Sequence, residues 1–313
     1  MKPTICTTSL SREFGPTVAV NSVDLTVPEG AIYALVGANG AGKTTLIKLL
    51  MNIIRPTAGR AQVLGIDSTS LAGKDFNRIG YVSENQEMPD WMTVGAMLDY
   101  WRAFYPQWDP ALERQLVRQF DLPLDRKLKH LSRGMRMKAG FASSLAYRPS
   151  LIVLDEPFTG LDPLVRDELI EGLLERAPET TIFLSSHDLA EIESFSSHVG
   201  FLEQGHLLFS EEMSALTDRF REVTVTLASP SPLPANLPPS WLQPQAADCV
   251  ISFVHSAYQG QATASELAGI FPSARDIVFN PMPLRSIFVA IAKSSRATAQ
   301  SAADHATSKG TTV

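Results

Sequence analysis

The sequence is short of cysteine, with Cys6 and Cys249 alone among 313 residues. Two isolated cysteines exclude a disulfide scaffold or a thiolate zinc site, and they are typical of a reducing compartment. The chain also lacks any apolar run that approaches the roughly 18–20 residues of a membrane-spanning helix. Its first residues lack the apolar core of a signal peptide. We therefore expect a cytoplasmic protein.

Basic residues are in the minority as well, and the formal net charge is −6. Domains that bind nucleic acid are usually basic, so this balance argues against DNA or RNA as a partner. Hydrophobic residues nevertheless make up 44% of the chain, which is typical of a folded protein with a core. A chain of 313 residues is long enough for about two domains.

A glycine-rich octapeptide at residues 37–44, Gly-Ala-Asn-Gly-Ala-Gly-Lys-Thr, fits the phosphate-loop pattern at every fixed position. It follows an apolar run at 31–36, typical of a buried strand, and precedes apolar residues at helical spacing over 45–52. In such a loop, backbone N–H groups and the helix N-terminus attract phosphate oxygens. We expect Lys43 to reach the β- and γ-phosphates and the Thr44 hydroxyl to hold Mg²⁺. A glycine-rich turn without a ligand would not explain the Lys-Thr pair.

A second apolar run, Leu151–Leu154, ends in two carboxylates. A buried strand here would present Asp155 to the nucleotide, where it can hold Mg²⁺ through water. Glu156 would then polarise an attacking water as general base. Farther upstream, Ser132 opens a helical run to residue 147 and is a good N-cap, whose free N–H groups can grip an anion. Taken alone, the carboxylate pair is also compatible with an acidic surface turn, and Ser132 is also compatible with an ordinary helix cap.

Together, these motifs resemble the ATP-binding subunit of ATP-binding-cassette (ABC) transporters over residues 1 to about 220. The resemblance makes 37–45 and 151–156 the two Walker motifs and 131–135 the signature sequence. It also makes Gly160-Leu-Asp162 the loop that crosses to a partner subunit.

The resemblance assigns roles to individual residues. The implied catalytic residues are Lys43, Glu156 and His187, the last as the γ-phosphate contact. The implied nucleotide contacts are Phe14 (stacked on adenine), Gly37, Ala38, Asn39, Gly40, Ala41, Gly42, Lys43, Thr44, Thr45, Ser132, Gly134 and Asp162. The implied metal ligands are Thr44, Asp155, Glu84 and Gln86.

The implied fold is an α/β P-loop NTPase (RecA-like) core with an antiparallel β subdomain and a helical insert at about 84–147, all within 1–220. A proline-rich stretch at 229–244 predicts a loop inside a small α+β accessory domain, 221–293. The tail 294–313 is rich in Ala, Ser and Thr, which predicts disorder.

Two positions depart from the family's pattern. Glu84 stands where the family usually has glutamine, and Gln86 follows two residues later, so either side chain could sense the nucleotide. The signature ends in Met135 instead of the common glutamine. Both departures resemble a bacterial subgroup of drug- and antibiotic-exporting ATPases. Residues 283–291 resemble a terminal helix found in that subgroup.

The resemblance implies that ATP, with Mg²⁺, closes a head-to-tail dimer with a second copy or a related cassette. It further implies separately encoded transmembrane permease subunits and a peripheral place on the cytoplasmic face of the bacterial membrane. The insert also contains five aromatic residues, which either form its own core or line a groove for a partner's helix. They are Trp91, Tyr100, Trp101, Phe104 and Tyr105.

Two other functions compete with the exporter interpretation. One alternative is a soluble mechanical ABC-type ATPase of translation or DNA repair, although the chain lacks the second cassette or long coiled-coil insert of those proteins. An ordinary phosphotransferase or GTPase is the other, but it does not account for Leu-Ser-Arg-Gly, and no Asn-Lys-x-Asp motif occurs.

Overall fold

The computed structural model describes residues 2–84, 86–234 and 236–294. They form two compact units, the first extending to Glu211 and the second beginning at Glu212. The sequence predicted a first domain that extends to residue 220. Within the described ranges, no helix is both long enough and apolar enough to cross a bilayer.

The first unit alternates strands and helices along the chain. Its strands are β1 (Ile5–Phe14), β2 (Thr17–Val23), β3 (Thr26–Val27), β4 (Ile32–Val36), β5 (Ala58–Val63), β6 (Ile66–Asp67), β7 (Ile79–Ser83), β8 (Leu151–Asp155), β9 (Thr181–Ser186), β10 (His198–Glu203) and β11 (His206–Glu212). Its helices are α1 (Lys43–Leu50), α2 (Val94–Arg102), α3 (Pro110–Gln119), α4 (Arg133–Leu145), α5 (Pro163–Leu174) and α6 (Leu189–Ile192).

The central sheet has the strand order β11-β10-β4-β9-β8-β7, and the pairing from β10 to β7 is parallel. Strands β4, β8 and β9 are buried along their whole length, and each contains at least three consecutive apolar residues, as expected of strands covered on both faces. Because these strands are parallel neighbours, their carboxyl ends meet at one edge. Val36 pairs with Ser186 there, and Asp155 pairs with Ser185. Ligands of open parallel sheets bind at this edge.

A second, antiparallel sheet has the order β2-β1-β5-β6, with β3 also paired to β1. The turn between β10 and β11 consists of Gln204 and Gly205, both at positive φ (49° and 81°), as a two-residue hairpin turn requires. This turn lies against β2, since the Asn21 N–H donates to the Gly205 carbonyl at 2.9 Å.

Helices α2, α3 and α4 form the insert between β7 and β8. Helix α3 begins where the Asp109 carboxylate accepts the Ala111 and Leu112 N–H groups, and Pro110 supplies the preset φ of a first helical turn. The Tyr147 hydroxyl donates to the Ile79 carbonyl at 2.9 Å, and the Tyr147 ring stacks on Tyr105 at 3.8 Å. These contacts anchor the insert to the central sheet.

The second unit is a small α+β fold. Its elements are α7 (Met213–Arg219), β12 (Arg221–Leu227), β13 (Trp241–Ala247), β14 (Val250–His255), α8 (Gln261–Ile270), β15 (Ala274–Pro281) and helix α9 at 284–294. The sheet order is β13-β14-β12-β15, antiparallel throughout. Trp241 stacks on Phe253 at 3.9 Å and on Phe271 at 5.8 Å. Such aromatic pairs each stabilise a fold by about 0.5–1.5 kcal/mol beyond the area they bury.

The predicted loop at 229–244 is wrong in its last residues, because β13 begins at Trp241 and contains Pro244. The proline is tolerated because β13 is an edge strand whose register with β14 shifts between Leu242 and Gln245. The predicted disorder at 294–313 falls, apart from Ser294, outside the described residues. The α/β core with its antiparallel subdomain, helical insert and α+β appendage is confirmed.

Candidate functional site

The phosphate loop runs from the end of β4 into α1 and is pressed between neighbouring backbones. A methyl group at Gly37 would lie 2.2 Å from the Leu202 carbonyl oxygen, and one at Gly42 would lie 2.3 Å from that of Ala19. Gly42 also has φ of 107°. A side chain at either position would therefore force β10 or β2 away. These two glycines fix the loop over the edge of the central sheet.

Lys43 lies beneath this loop and is almost completely buried, with 5% of its side chain exposed. Its ammonium group donates to the Gly37 carbonyl at 2.7 Å and to the Ala38 carbonyl at 3.2 Å. It also forms an ion pair with Glu156 Oε1 at 3.0 Å. The cation is therefore held at the mouth of the loop by two carbonyls and one carboxylate.

Asp155 ends β8 and receives two hydroxyl groups on one oxygen. Ser185 Oγ donates to Asp155 Oδ1 at 2.8 Å, and Thr44 Oγ1 donates to the same atom at 3.1 Å. Burial raises the pKa of Asp155, and the bonds from Ser185 and Thr44 offset part of that rise. A hydroxyl beside a carboxylate is a hard oxygen donor set of the kind that Mg²⁺ prefers. Among the described residues, here or elsewhere, no cluster of three His, Cys, Asp or Glu side chains could hold a metal.

Glu156, the next residue, has a left-handed backbone with φ of 51°, uncommon for a residue with a side chain. Its N–H donates to Ser185 Oγ at 3.0 Å, which helps to hold this turn. Such strain persists where surrounding contacts over-determine the backbone, and it clusters at functional sites.

Three side chains meet the Glu156 carboxylate. Oε1 pairs with Lys43, while Oε2 lies 2.7 Å from His187 Nδ1 and accepts the Thr159 hydroxyl at 3.0 Å. Burial alone would raise the pKa of Glu156, but the bonds from His187, Lys43 and Thr159 together lower it below its ordinary value. The carboxylate is therefore ionised at neutral pH and oriented from both sides.

Of these groups, Lys43, Thr44 and Glu156 open onto a cavity of about 470 Å³, the size of a small-molecule pocket. The predicted residues that line it are Asn39, Gly40, Gly42, Lys43, Thr44, Thr45, Glu84 and Glu156. Residues that the sequence motifs did not reveal complete the lining: Thr17, Val18, Ala19 and Gln204. The supporting hydroxyls of Thr159 and Ser185 were also missed, because the resemblance assigns no role to Thr159, or to Ser185 two residues before His187.

Ser132, Gly134 and Asp162 gather on a separate surface, at the N-termini of α4 and α5. Ser132 Oγ accepts the Met135 N–H at 3.2 Å, and the Asp162 carboxylate accepts the Val165 N–H at 3.1 Å. A methyl group at Gly134 would meet Val165 at 3.0 Å, so the two helix starts pack closely. We call these two N-termini the cap surface.

The described lining of the cavity does not include the cap surface, Phe14 or Gln86. It also leaves out the predicted residues Gly37, Ala38, Ala41, Asp155 and His187, of which Asp155 contacts Thr44 and His187 contacts Glu156. Phe14 is half exposed on β1, where the Arg12 guanidinium lies 4.5 Å above its ring. Gln86 lies beside the helical insert, in a space of about 210 Å³ lined by Tyr81, Trp101 and Tyr147 among others. Of the two candidate sensors, Glu84 is therefore the one that faces the cavity.

Comparisons with known proteins agree with this geometry. The sequence profile of the ABC transporter family matches residues 20–159. The bacitracin transport ATP-binding protein BcrA of Enterococcus faecalis is 31% identical over 228 residues, which cover 72% of this chain and 74% of that protein. The daunorubicin/doxorubicin resistance ATP-binding protein DrrA of Streptomyces peucetius is 32% identical over 216 residues, 64% of this chain and 63% of that protein.

Solved structures show the same fold. The structure of an ATP-binding subunit of an ABC transporter aligns with a TM-score of 0.63 and 26% identity, covering 68% of this chain and 92% of that one. Sequence relatives, fold and cavity thus lead to one conclusion: this chain belongs to the ABC transporter family as an ATP-binding subunit, and it is an ATPase.

Proposed function

We propose that the chain is the motor of a bacterial exporter, in which two cassettes close on ATP and drive separate membrane subunits from the cytoplasmic face. The observation that carries this proposal is that Lys43, Thr44 and Glu156 line one cavity, while Asp155 contacts Thr44 and His187 contacts Glu156.

Lys43 binds the β- and γ-phosphates in this proposal. Its ammonium group already lies at the loop carbonyls, so binding exchanges the Glu156 carboxylate for phosphate oxygens and leaves the bonds to Gly37 and Ala38. Backbone N–H groups of the loop and the N-terminus of α1 add positive potential. Phosphate and Glu156 thus compete for one cation.

Thr44 and Asp155 would hold Mg²⁺, and their shared contact at 3.1 Å supplies the hydroxyl and carboxylate oxygens for it. When bound, the ion neutralises charge on the phosphates. Ser185 keeps the Asp155 carboxylate oriented through its 2.8 Å hydrogen bond.

Glu156 is the general base for hydrolysis. Once Lys43 turns to the phosphates, Glu156 accepts a proton from water as the water oxygen attacks the γ-phosphorus, and ADP leaves with the former bridging oxygen. His187 and Thr159 hold the carboxylate in place through Oε2. Most of the rate enhancement comes from positioning and from charge stabilisation by Lys43.

The cap surface contacts the nucleotide of a second cassette. Ser132 and Gly134 stand at a helix N-terminus, a natural anion site, yet they do not belong to the described lining of their own cavity. A head-to-tail dimer brings this surface over the partner's γ-phosphate. ATP then holds the dimer closed, and hydrolysis releases it.

The export direction and the membrane partner are supported by two observations. BcrA and DrrA are named for bacitracin transport and for daunorubicin/doxorubicin resistance. The five aromatic residues named for the insert divide into two groups. Tyr105 stacks on Tyr147, and the partly buried Trp101 ring lies 6.4 Å from that of Tyr105, whereas Trp91, Tyr100 and Phe104 are exposed. We call the exposed group the aromatic surface and assign it to a permease helix.

Co-purification from membranes tests this assignment. The native chain should co-purify with an integral membrane protein. Trp91→Asp should abolish co-purification and transport while ATP binding persists, because Trp91 is 71% exposed and is not among the described lining residues of the cavity. Ile53→Asp, at an exposed apolar residue outside the insert, is the matched control and should keep the complex. Association with ribosomes or DNA, and never with a membrane protein, would contradict the proposal.

A further inference from the structure

The charges around the nucleotide cavity are unexpected for a site that receives a polyphosphate. Its lining contains two carboxylates, Glu84 and Glu156, beside the ammonium group of Lys43. The charge of Glu156 is balanced within the site by Lys43, which lies 3.0 Å from Oε1, and His187 Nδ1 contacts Oε2 at 2.7 Å. Glu84 needs a different cation, since an unpaired carboxylate at this cavity would repel the phosphates.

Arg133 supplies that cation. Its Nη2 forms an ion pair and hydrogen bond with Glu84 Oε1. The backbone of Glu84 is fixed independently, because its N–H donates to the Asp155 carbonyl at 3.0 Å. The backbone bond to the end of β8 thus holds Glu84 at the cavity, while Arg133 of α4 balances the charge of its carboxylate.

Gly160 makes room for this contact. A methyl group at Gly160 would lie 2.9 Å from Arg133 Nη1, and the glycine has φ of 68°, a conformation that side chains rarely adopt. The Arg133 guanidinium therefore passes beside the backbone of Gly160, where no side chain blocks it, to reach Glu84. Gly160 lies two residues before Asp162 in the chain. Glu84, Arg133 and Gly160 form one connected set between the cavity and the cap surface.

We propose that Arg133 neutralises Glu84, so that the cavity accepts a polyphosphate even though a carboxylate lines it. Arg133 acts through Glu84 and is a positioning residue, not a nucleotide contact of its own cavity. The inference rests on the proposed function, because it assumes that the cavity binds ATP.

The expected size of the effect follows from the exposure of the pair. Glu84 and Arg133 are 26% and 46% exposed, so water and salt screen their interaction. Removing the arginine should raise the Kd for ATP by about 2- to 5-fold, as for a partly exposed charge pair. Salt should distinguish this electrostatic effect from a structural one, because screening at high ionic strength weakens an electrostatic difference in Kd but not a structural one.

The test measures equilibrium binding of adenylyl-imidodiphosphate with Mg²⁺ to the full chain and to Arg133→Gln, Glu84→Gln and the double variant. Arg133→Gln should bind about 2- to 5-fold more weakly than the native chain, and this difference should shrink as salt rises from about 0.05 to 0.5 M. Glu84→Gln should bind at least as well as the native chain, and in the double variant it should restore the affinity that Arg133→Gln loses. Arg136→Gln is the matched control, because Arg136 pairs at 2.7 Å with Asp90, which is not among the described lining residues.

Each remaining result counts against the inference. Native affinity in Arg133→Gln would mean that Glu84 needs no neutralisation. A double variant as weak as Arg133→Gln would mean that the arginine acts by another route, such as contact with a partner's nucleotide. An equal loss of affinity in Arg136→Gln would mean that the effect comes from the general positive charge of the surface and not from the pair with Glu84. Failure of the native chain to bind the analogue would instead refute the proposed function.

Discussion

Replacing Glu156 with glutamine should separate two roles of one carboxylate. The change removes the general base and also removes the negative charge that holds Lys43 at 3.0 Å. Glutamine has a similar size and the same unbranched side-chain stem, so it should fit the left-handed backbone at φ of 51° as Glu156 does. The variant therefore tests chemistry with little change in shape.

Both magnitudes follow from the site. Loss of a general base should lower hydrolysis by about 10²- to 10⁴-fold. Unit charges 3.0 Å apart attract by about 5 kcal/mol at an effective dielectric constant near 20. Desolvation of the pair cancels most of this attraction and leaves about 1–2 kcal/mol, so releasing Lys43 should tighten ATP binding by about 5- to 30-fold.

Phosphate release measures the first effect, and equilibrium binding of ATP measures the second. Size-exclusion chromatography with ATP should show an accumulated dimer, because the bound nucleotide is no longer consumed. Glu113→Gln is the matched control: Glu113 is 13% exposed, as Glu156 is, but it pairs with Arg102 in the helical insert. It should lower thermal stability and leave hydrolysis unchanged. Near-native hydrolysis by Glu156→Gln would refute the assignment of the base.

Three further predictions test the rest of the molecule. Lys43→Ala and Ser132→Ala should each be inactive, and mixing them should restore part of the phosphate release, since one composite site per heterodimer is intact; no recovery at any mixing ratio would contradict the shared site. A chain that ends after residue 220 should still bind ATP in equilibrium measurements, because every described lining residue precedes that point, and a folded truncation without affinity would disprove this. Burial lowers the pKa of His255 below its ordinary value of about 6.5, against a smaller opposite effect of Glu266, so the unfolded chain binds a proton before the folded one does. Stability should therefore fall as pH drops below about 6.5, and thermal melts of His255→Gln should lose this acid sensitivity.

The sequence predicted the parts of the site that short motifs encode. The loop around Lys43 and the strand before Asp155 each combine a buried apolar run with fixed polar residues, so local pattern and function coincide. Residues brought in by the second sheet were not predictable in this way. Ala19 approaches Gly42 through the packing of β2 on the loop, and no local signal marks it. The ion pair of Arg133 with Glu84 likewise depends on tertiary structure.

The predicted loop at 229–244 failed for a related reason. Proline density argues against a central strand, but it cannot tell an edge strand from a loop, because an edge strand leaves N–H groups unused on one side. Pro244 lies in such a strand, and Gln243 at φ of 51° provides the irregularity that accommodates it. The left-handed turn at Glu156 was equally hidden, since the sequence shows no glycine there.

The form of β13 has a consequence for how the protein behaves at high concentration. An edge strand with regular, unpaired backbone groups is a template on which another chain can add a strand and start a fibre. In β13, Pro244 offers no N–H to an incoming strand, and the register shift between Leu242 and Gln245 bends the edge away from a straight ladder. The residue that made this segment hard to recognise as a strand is thus also a gatekeeper against self-association along that edge.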